Sequence, residues 1–489
     1  ASTIITLIIG IPLAFIFARY EFHGKTLLKA IVTIPFVLPT IVVAMGFLSL
    51  IGPEGILNKV MLHMRLISEP LRITNSLFII LAAHTFYNYA IVIRIVSAVW
   101  SNLDPFLEET AKVLGAGRFR TFFHITLPLL LPAIISSALL IFTFSFTSFG
   151  VVLVLGGPGY ATMEVSIFEL TAKLFKLPMA GALSIIQIVF TCLFFFIYSK
   201  FQEKTTVSLD IKPRGMVVKR LNLNKVSDFA IIIIAVFSIL ALLSPLIALL
   251  IRSVSLEGGY ATTQVANLFS NERGSYFYVS PLRIVANSVF FGLATVVISL
   301  ITGTLVGYFL SRSKNARGSL IDTLFMLPLG VSAVTIGFGY ILAMSVAPVD
   351  IRGSWIALII AHSLVAYPFV IRSILPVLKG IDPDLRQAAA LLGANARARF
   401  LSIDLPIIAP SLLVGATFAF AISIGEFGAS ILLVDQEFMT LPVAIFRFLS
   451  LPGEANLGKA LAMSNLLTVI VAVSFMAIER FRYKSIGSF

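Results

Sequence analysis

The sequence predicts an all-α polytopic membrane protein built from two homologous helical halves. Three observations lead there: a shortage of charge, recurring apolar runs, and a repeat. Charged residues make up 12% of the 489 positions and apolar residues 58%, whereas a water-soluble domain carries about 25% charged residues. Apolar runs long enough to cross about 30 Å of hydrocarbon recur along the whole chain, and the ten-residue alternating pattern of a membrane β-barrel is absent. Finally, ETAKVLGAGRFRTFFHITLP at 109–128 and QAAALLGANARARFLSIDLP at 387–406 state nearly the same polar sentence twice, 278 residues apart.

In order, the apolar runs place spans at 2–19, 30–51, 74–99, 129–155 and 179–199, then at 229–251, 285–310, 319–346, 354–378, 407–434 and 458–479, about 11 in all. Charged or turn-forming residues bound them, such as Arg19 after the first, Gly156-Gly157-Pro158 after the fourth and Lys379-Gly380 after the ninth. With loops assigned alternately to two sides, 23 Lys and Arg fall with 20–29, 100–128, 200–228, 311–318, 379–406 and 480–489. Only 11 fall with the opposite loops, counting Arg19 and Lys459 with the loops they abut; Arg94 and Arg372 lie inside spans. The richer side faces the cytoplasm. The net charge of +13 is therefore a topology signal, and no nucleic-acid partner is expected.

The repeat organises the chain. Pairs at the 278 spacing include His84/His362, Arg94/Arg372, Asp104-Pro105/Asp382-Pro383, Gly115/Gly393, Leu127-Pro128/Leu405-Pro406 and Phe149-Gly150/Phe427-Gly428. Upstream the spacing becomes 293, as in Gly10/Gly303, Arg19/Arg312 and Pro35/Pro328, because one external loop is long at 52–73 and short at 347–353. The expected organisation is a first half at 1–203, a charged cytoplasmic linker at 204–226 and a second half at 227–489. The span at 229–251 has no mate in the first half. The repeat therefore leads us to expect a helix before Ala1, and twelve spans in the native protein.

Within each polar sentence a short helix is predicted. Asp104 and Asp382 suit the N-cap, where a carboxylate accepts backbone N–H bonds, and the Pro that follows gives up no needed donor. Gly115 and Gly393 are stops, since glycine adopts the left-handed conformation that ends helices. Leu107, Ala111 and Leu114 share one face, as do Leu385, Ala389 and Leu392; Glu108, Glu109 and Lys112 lie on the other face of the first copy. A helix of about ten residues is not stable alone in water. Its apolar stripe needs a surface, either the protein's own membrane helices and the lipid interface or a separate cytoplasmic partner.

Here the residues carry a resemblance. E-T-A-x-x-x-G-x9-I-x-L-P, from Glu109 through Ala111 and Gly115 to Leu127 and Pro128, resembles the EAA loop of the permeases of bacterial ATP-binding-cassette (ABC) importers. The second copy, Gln387, Ala388, Ala389, Gly393, Leu405 and Pro406, departs only in having Gln where the pattern has Glu. FTSFGVVLVLGGPGYATMEVSIFE at 146–169 and SIGEFGASILLVDQEFMTLPVAIFRFL at 423–449 look like the corresponding regions of fused ferric-iron and thiamine permeases.

The resemblance implies the type I importer transmembrane fold in a bacterial or archaeal cytoplasmic (inner) membrane. It also implies two ATP-binding cassette subunits on the cytoplasmic face, gripping loops 1 and 2 at Asp104, Glu108, Glu109, Ala111, Leu114 and Gly115 and at Asp382, Gln387, Ala388, Ala389, Leu392 and Gly393. It implies an extracytoplasmic solute-binding protein that meets loops such as 156–178 and 435–457. ATP and Mg would be bound by the partner subunits, with no cofactor and no metal in this chain. The cargo implied is ferric iron or thiamine, with phosphonate, polyamine, sulfate or another small solute as alternatives.

What the chain lacks agrees with a permease without its own ATPase or catalytic site. Gly24-Lys25-Thr26 is a decoy, because a phosphate loop needs a Gly five residues before Gly24, where Arg19 stands. Gly156 and Gly157 serve a turn in LGGPG. The lone Cys192 supports neither a disulfide framework nor a Cys-x-x-Cys site, and no HExxH or GxSxG pattern occurs. His84 and His362 are expected to make interhelical hydrogen bonds. Glu426 is the one carboxylate predicted inside a span, with Ser148 as its counterpart; such a group is either a structural hydrogen-bonding residue or part of the translocation path. The competing class is an ion-coupled secondary transporter. It would need several ionisable groups at mid-membrane, and its repeats are often inverted, whereas here equivalent loops share a side.

Overall fold

In the computed structural model, residues 1–22, 24–205, 219–220, 226–254, 279–312, 316–346 and 353–486 are described. Most of the predicted linker at 204–226 and of the short external loop at 347–353 lies outside them. The protein is a helical membrane protein. Among the described residues, 10 helices are long and apolar enough to cross a membrane, or up to 11 if a bent pair counts as one. Among the described residues the strand content is a two-residue parallel pairing, Tyr20–Glu21 with Lys219–Arg220.

The first half runs α1 Ser2–Arg19, α2 Lys25–Val37, α3 Thr40–Ile51, α4 Ile56–His63, α5 Leu77–Ser101, α6 Pro105–Val113, α7 Leu127–Phe146, α8 Gly150–Leu155, α9 Met163–Phe168 and α10 Leu177–Thr205. There follow α11 Val226–Val254, α12 Pro281–Arg312, α13 Ala316–Gly330, α14 Ala333–Val346, α15 Trp355–Gly380, α16 Pro383–Leu391, α17 Leu405–Gly425, α18 Gly428–Leu433, α19 Leu441–Ser450 and α20 Glu454–Ile486. Serine starts the central span of each half in the same way. Ser76 Oγ accepts from Ile79 N and Ser354 Oγ from Ala357 N, each satisfying an amide that has no partner inside its helix.

Four spans predicted as continuous are broken. The segment at 30–51 parts between α2 and α3, that at 319–346 between α13 and α14, that at 129–155 between α7 and α8, and that at 407–434 between α17 and α18. At the first, Pro39 disfavours helical geometry at Leu38. At its repeat mate, Ser332 Oγ accepts from Val334 N at 3.1 Å and starts α14 afresh, bent by 115° from the helix before it. At the other two, Thr147 and Glu426 leave helical geometry. Each break lies within a stretch that is apolar on average, so the hydropathy that located the spans runs across it.

Two compact units result. The first holds 1–36, 46–163 and 185–249; the second holds 37–45, 164–184 and 250–489. In the first unit Ala14, Val92, Val96, Trp100, Leu130 and Ile141 knit α1, α5 and α7 together. Ile239 of α11 joins Leu13, Phe17, Tyr89 and Ile93 in a neighbouring cluster. In the second unit Phe291, Leu358, Ile359, Ala429 and Leu433 unite α12, α15 and α18. A Cβ on Gly10 would stand 2.6 Å from Val92 Cβ, and one on Gly303 2.7 Å from Val370 Cβ. Gly10 and Gly303, and Val92 and Val370, are repeat mates, so both units bring backbones together at one small residue, as membrane helices do without a hydrophobic drive between them. Large apolar side chains such as Ile8, Phe237 and Leu305 stay exposed on the spans, which suits hydrocarbon and not water.

Candidate functional site

Each polar sentence folds into a capped helix, a glycine stop, a second short turn and a π-helical turn that runs straight into a span. In the first copy Asp104 Oδ1 accepts from Phe106 N at 2.9 Å, and Pro105 opens α6. At the far end Gly115 has φ +82°, with Ala116 N bonded to Ala111 O at 2.9 Å and Gly115 N to Lys112 O at 3.0 Å. In the second copy Asp382 Oδ1 accepts from Asp384 N at 2.9 Å; Gly393 has φ +86°, with Ala394 N bonded to Ala389 O and Gly393 N to Ala390 O, both at 3.0 Å. This paired closure is the Schellman stop, which requires a left-handed residue just past the helix. The π turns follow at Phe122–Thr126 and Phe400–Asp404, directly before Leu127-Pro128 and Leu405-Pro406.

The ends of both short helices present apolar side chains to the outside. Val113 is 86% and Leu114 81% exposed in one copy, Leu391 and Leu392 each 89% in the other, and Phe119 beyond the first stop 84%. Leu107 and Leu385 are exposed too, whereas Ala111 is buried against its own unit. The stripe is thus only partly covered by the protein's own helices. Glu109, Gln387 and Ala388 are exposed, and Ala389 is half-buried. Leu127 and Leu405 are half-buried with Pro128 and Pro406 exposed beside them.

Glu108 departs from the expected polar face. It turns inward, where Glu108 Oε1 accepts from Arg19 at the end of α1 and from Thr126 Oγ1 at 2.9 Å. Its repeat mate is Arg386, whose Nε donates to Asp404 Oδ1 at 2.7 Å. Asp404 is the mate of Thr126 and is fully buried. The sequence reading missed Arg19, Thr126, Arg386 and Asp404. A signal was present: between the matched Asp-Pro and Gly of the two copies, positions 108 and 386 carry opposite charge.

Glu426 and Ser148 are both buried, each at the break after the long helix of its half. The Glu426 carboxylate serves as the cap of α18, accepting from Ala429 N and from Ser430 N and Oγ, each at 2.8 Å. His362 Nε2 lies 3.4 Å from it, and the His362 ring nitrogens meet Ser423 Oγ and Ser430 Oγ at 2.8 Å. His84 makes the interhelical contact expected of it, Nδ1 to Ser2 Oγ at 3.1 Å. A second buried carboxylate was missed. Glu164, in a predicted external loop, is fully buried and accepts from Ser332 Oγ at the break before α14. Among the described residues no group of three or more His, Cys, Asp or Glu is placed to hold a metal ion.

Comparison with known proteins adds a family. Residues 10–207 match the family model described as the binding-protein-dependent transport system inner membrane component. The molybdenum transport system permease protein ModB of Haemophilus influenzae is 32% identical over 189 residues, covering 36% of this chain and 82% of the relative. The thiamine transport system permease protein ThiP of Brucella abortus is 24% identical over 488 residues, 98% of this chain and 85% of the relative. The ferric transport system permease protein FbpB of Actinobacillus pleuropneumoniae is 23% identical over 470 residues, 96% of this chain and 67% of the relative.

Proposed function

Because the chain belongs to the family of binding-protein-dependent transport system inner membrane components, we propose that it is the fused, two-half permease of an ABC importer of ferric iron or thiamine. The observation that carries the reading is the pair of α6 and α16 ends, where Val113, Leu114, Leu391 and Leu392 stand exposed beside Schellman stops. An exposed aliphatic side chain at the tip of a short capped helix loses little by staying in water singly, but one valine and three leucines at matching positions are what a hydrophobic groove on another protein would accept. Near full-length similarity to a thiamine and a ferric permease supports the choice of cargo.

In this mechanism two ATP-binding subunits hold the tips of α6 and α16 and supply ATP and its Mg. Their closure on ATP pulls the two short helices, and each helix moves the span that its π turn joins to it. The path then opens outward to receive solute from an external binding protein, and hydrolysis resets it inward. Ser148 and Glu426 belong to the path as residues at broken spans, where irregular backbone is tolerated because it faces protein or a polar cavity. Glu426 acts there as the cap that holds the break, since its carboxylate is already engaged by two amides, Ser430 and His362.

Reconstitution tests the reading. Proteoliposomes holding this chain, its ATP-binding subunits and the binding protein should accumulate radiolabelled thiamine or ferric iron only with ATP inside the motor compartment, and should keep doing so with an ionophore present. Uptake abolished by the ionophore and indifferent to ATP would instead identify an ion-coupled carrier.

A further inference from the structure

The two cytoplasmic helices are fastened to their own spans by bonds of opposite polarity. In the first half the short helix offers an anion. Glu108 takes Arg19 from α1 and the Thr126 hydroxyl from the last residue of the π turn. In the second half the short helix offers a cation, Arg386, and the last residue of the π turn answers with the anion Asp404. The residue that keeps these arrangements separate sits one turn before the arginine that ends α1 or α12. Tyr308 receives a hydrogen bond from Arg312, whose guanidinium also lies 4.1 Å from the centre of the tyrosine ring. Arg312 is the mate of Arg19. At the corresponding place in α1 stands Phe15, with no hydroxyl to offer, and Arg19 goes to Glu108 instead. Three positions thus change together around an arginine that both halves keep: Phe15, Glu108 and Thr126 beside Arg19, against Tyr308, Arg386 and Asp404 beside Arg312.

Each set is self-consistent and neither tolerates a single exchange. An arginine at 108 would face Arg19; a glutamate at 386 would face Asp404, which is fully buried, and a buried charge stripped of its partner is strongly destabilising. Both π turns place the answering residue at the foot of the following span, and π turns within helices occur often at working sites.

We propose that residues 108 and 126, and 386 and 404, form two joints of opposite polarity that lock each short helix to the foot of its own span, so that helix and span move as one lever. These are positioning residues, and the proposal rests on the reading of α6 and α16 as the handles of an ATPase. Tyr308 and Phe15 are the selectors that leave Arg312 out of one joint and commit Arg19 to the other.

The test rebuilds each joint in the style of the other. A spin label is placed on K112C or A390C, in a C192S background, in the full chain held in lipid nanodiscs. The single variants E108R and R386E should turn the label spectrum from mostly immobile to mostly mobile. The triple variants F15Y/E108R/T126D and Y308F/R386E/D404T, which reproduce the opposite half's set, should return it to the immobile form. Singles that leave the spectrum unchanged, or triples as mobile as the singles, overturn the proposal. Should R386E not accumulate in the membrane, E108R and its triple decide the matter, since Glu108 is about a quarter exposed. In the reconstituted importer, solute moved per ATP should drop about tenfold in the singles and recover to within about twofold in the triples. The label readout needs no ATPase. A complex that transports normally but whose triples fail to recover therefore refutes the joints, while immobilised labels on a chain that no ATPase binds refute the handle reading alone.

Discussion

Leucine in place of Gly303 should cut the amount of folded protein in the membrane by about tenfold, and leucine at Gly10 should do the same. A Cβ at Gly303 would lie 2.7 Å from Val370 Cβ, 2.8 Å from Val370 Cγ1 and 3.3 Å from Tyr367 O. None of these atoms is the free end of a flexible side chain, so α12 and α15 would have to separate along the contact that founds the second unit. Overpacking a well-fitted core costs about 1–3 kcal/mol per site, and parting two backbones that meet through Gly303 and, one turn on, Gly307 lies at the upper end. In the membrane the loss is not recovered elsewhere, because close packing itself is what holds such helices together. Leucine at Gly339, in α14 with nothing within 4 Å of its Cβ, is the control and should leave the amount of protein near normal. Quantifying folded protein by size-exclusion chromatography of detergent extracts checks all three.

Valine in place of Gly393 should have the opposite profile, with normal accumulation and lost coupling. Nothing lies within 4 Å of a Cβ built on Gly393, so there is no clash to destabilise the unit; the cost is confined to the backbone, held at φ +86°. A β-branched residue forced into that region pays about 1–3 kcal/mol. The strain relaxes most easily by unwinding the last turn of α16, which removes the Ala394 N to Ala389 O closure and displaces Leu391 and Leu392. Gly115, at φ +82° and equally open, should respond in the same way to valine. Uptake by the assembled importer is expected to fall by about tenfold or more in G393V, with ATP hydrolysis no longer matched to transport. Glu109→Lys, which reverses an exposed charge on α6, should act in the same direction at normal protein levels. Alanine at Gly117, where φ is ordinary and space is open, should transport normally. Wild-type uptake in both G393V and G115V would remove the helix stops from the mechanism.

The features legible in the sequence were those written in local chemistry. Asp-Pro and Gly at the ends of α6 and α16 announce a cap and a stop whatever surrounds them, and the apolar runs announce spans because hydrocarbon thickness sets their length. Glu426 stood out because its neighbours are apolar. The illegible features were set by partners distant in the chain. Glu108 and Arg19 are 89 residues apart, and Glu164 and Ser332 168 apart; no periodicity reports that such groups meet. Glu164 in particular sits in a short stretch read as an external loop, and the fold buries it completely. The four breaks were invisible for another reason: Thr147-Ser148 and Leu38-Pro39 interrupt the backbone hydrogen bonding without interrupting hydropathy. The paired difference at 108 and 386 was present in the sequence and needed only the repeat to be read for its disagreements as well as its matches.

The docking of an ATPase on the exposed ends of the short helices is best tested by light-activated cross-linking in the membrane. A benzoylphenylalanine at Leu114 or at Leu392, in chains co-expressed with the ATP-binding subunit, should yield an adduct of the combined mass from both positions. The same probe at Met64, exposed in a loop that the sequence places on the opposite side, should yield none. No ATPase adduct from either helix, or solute moved by the purified chain alone without ATP, would contradict the account.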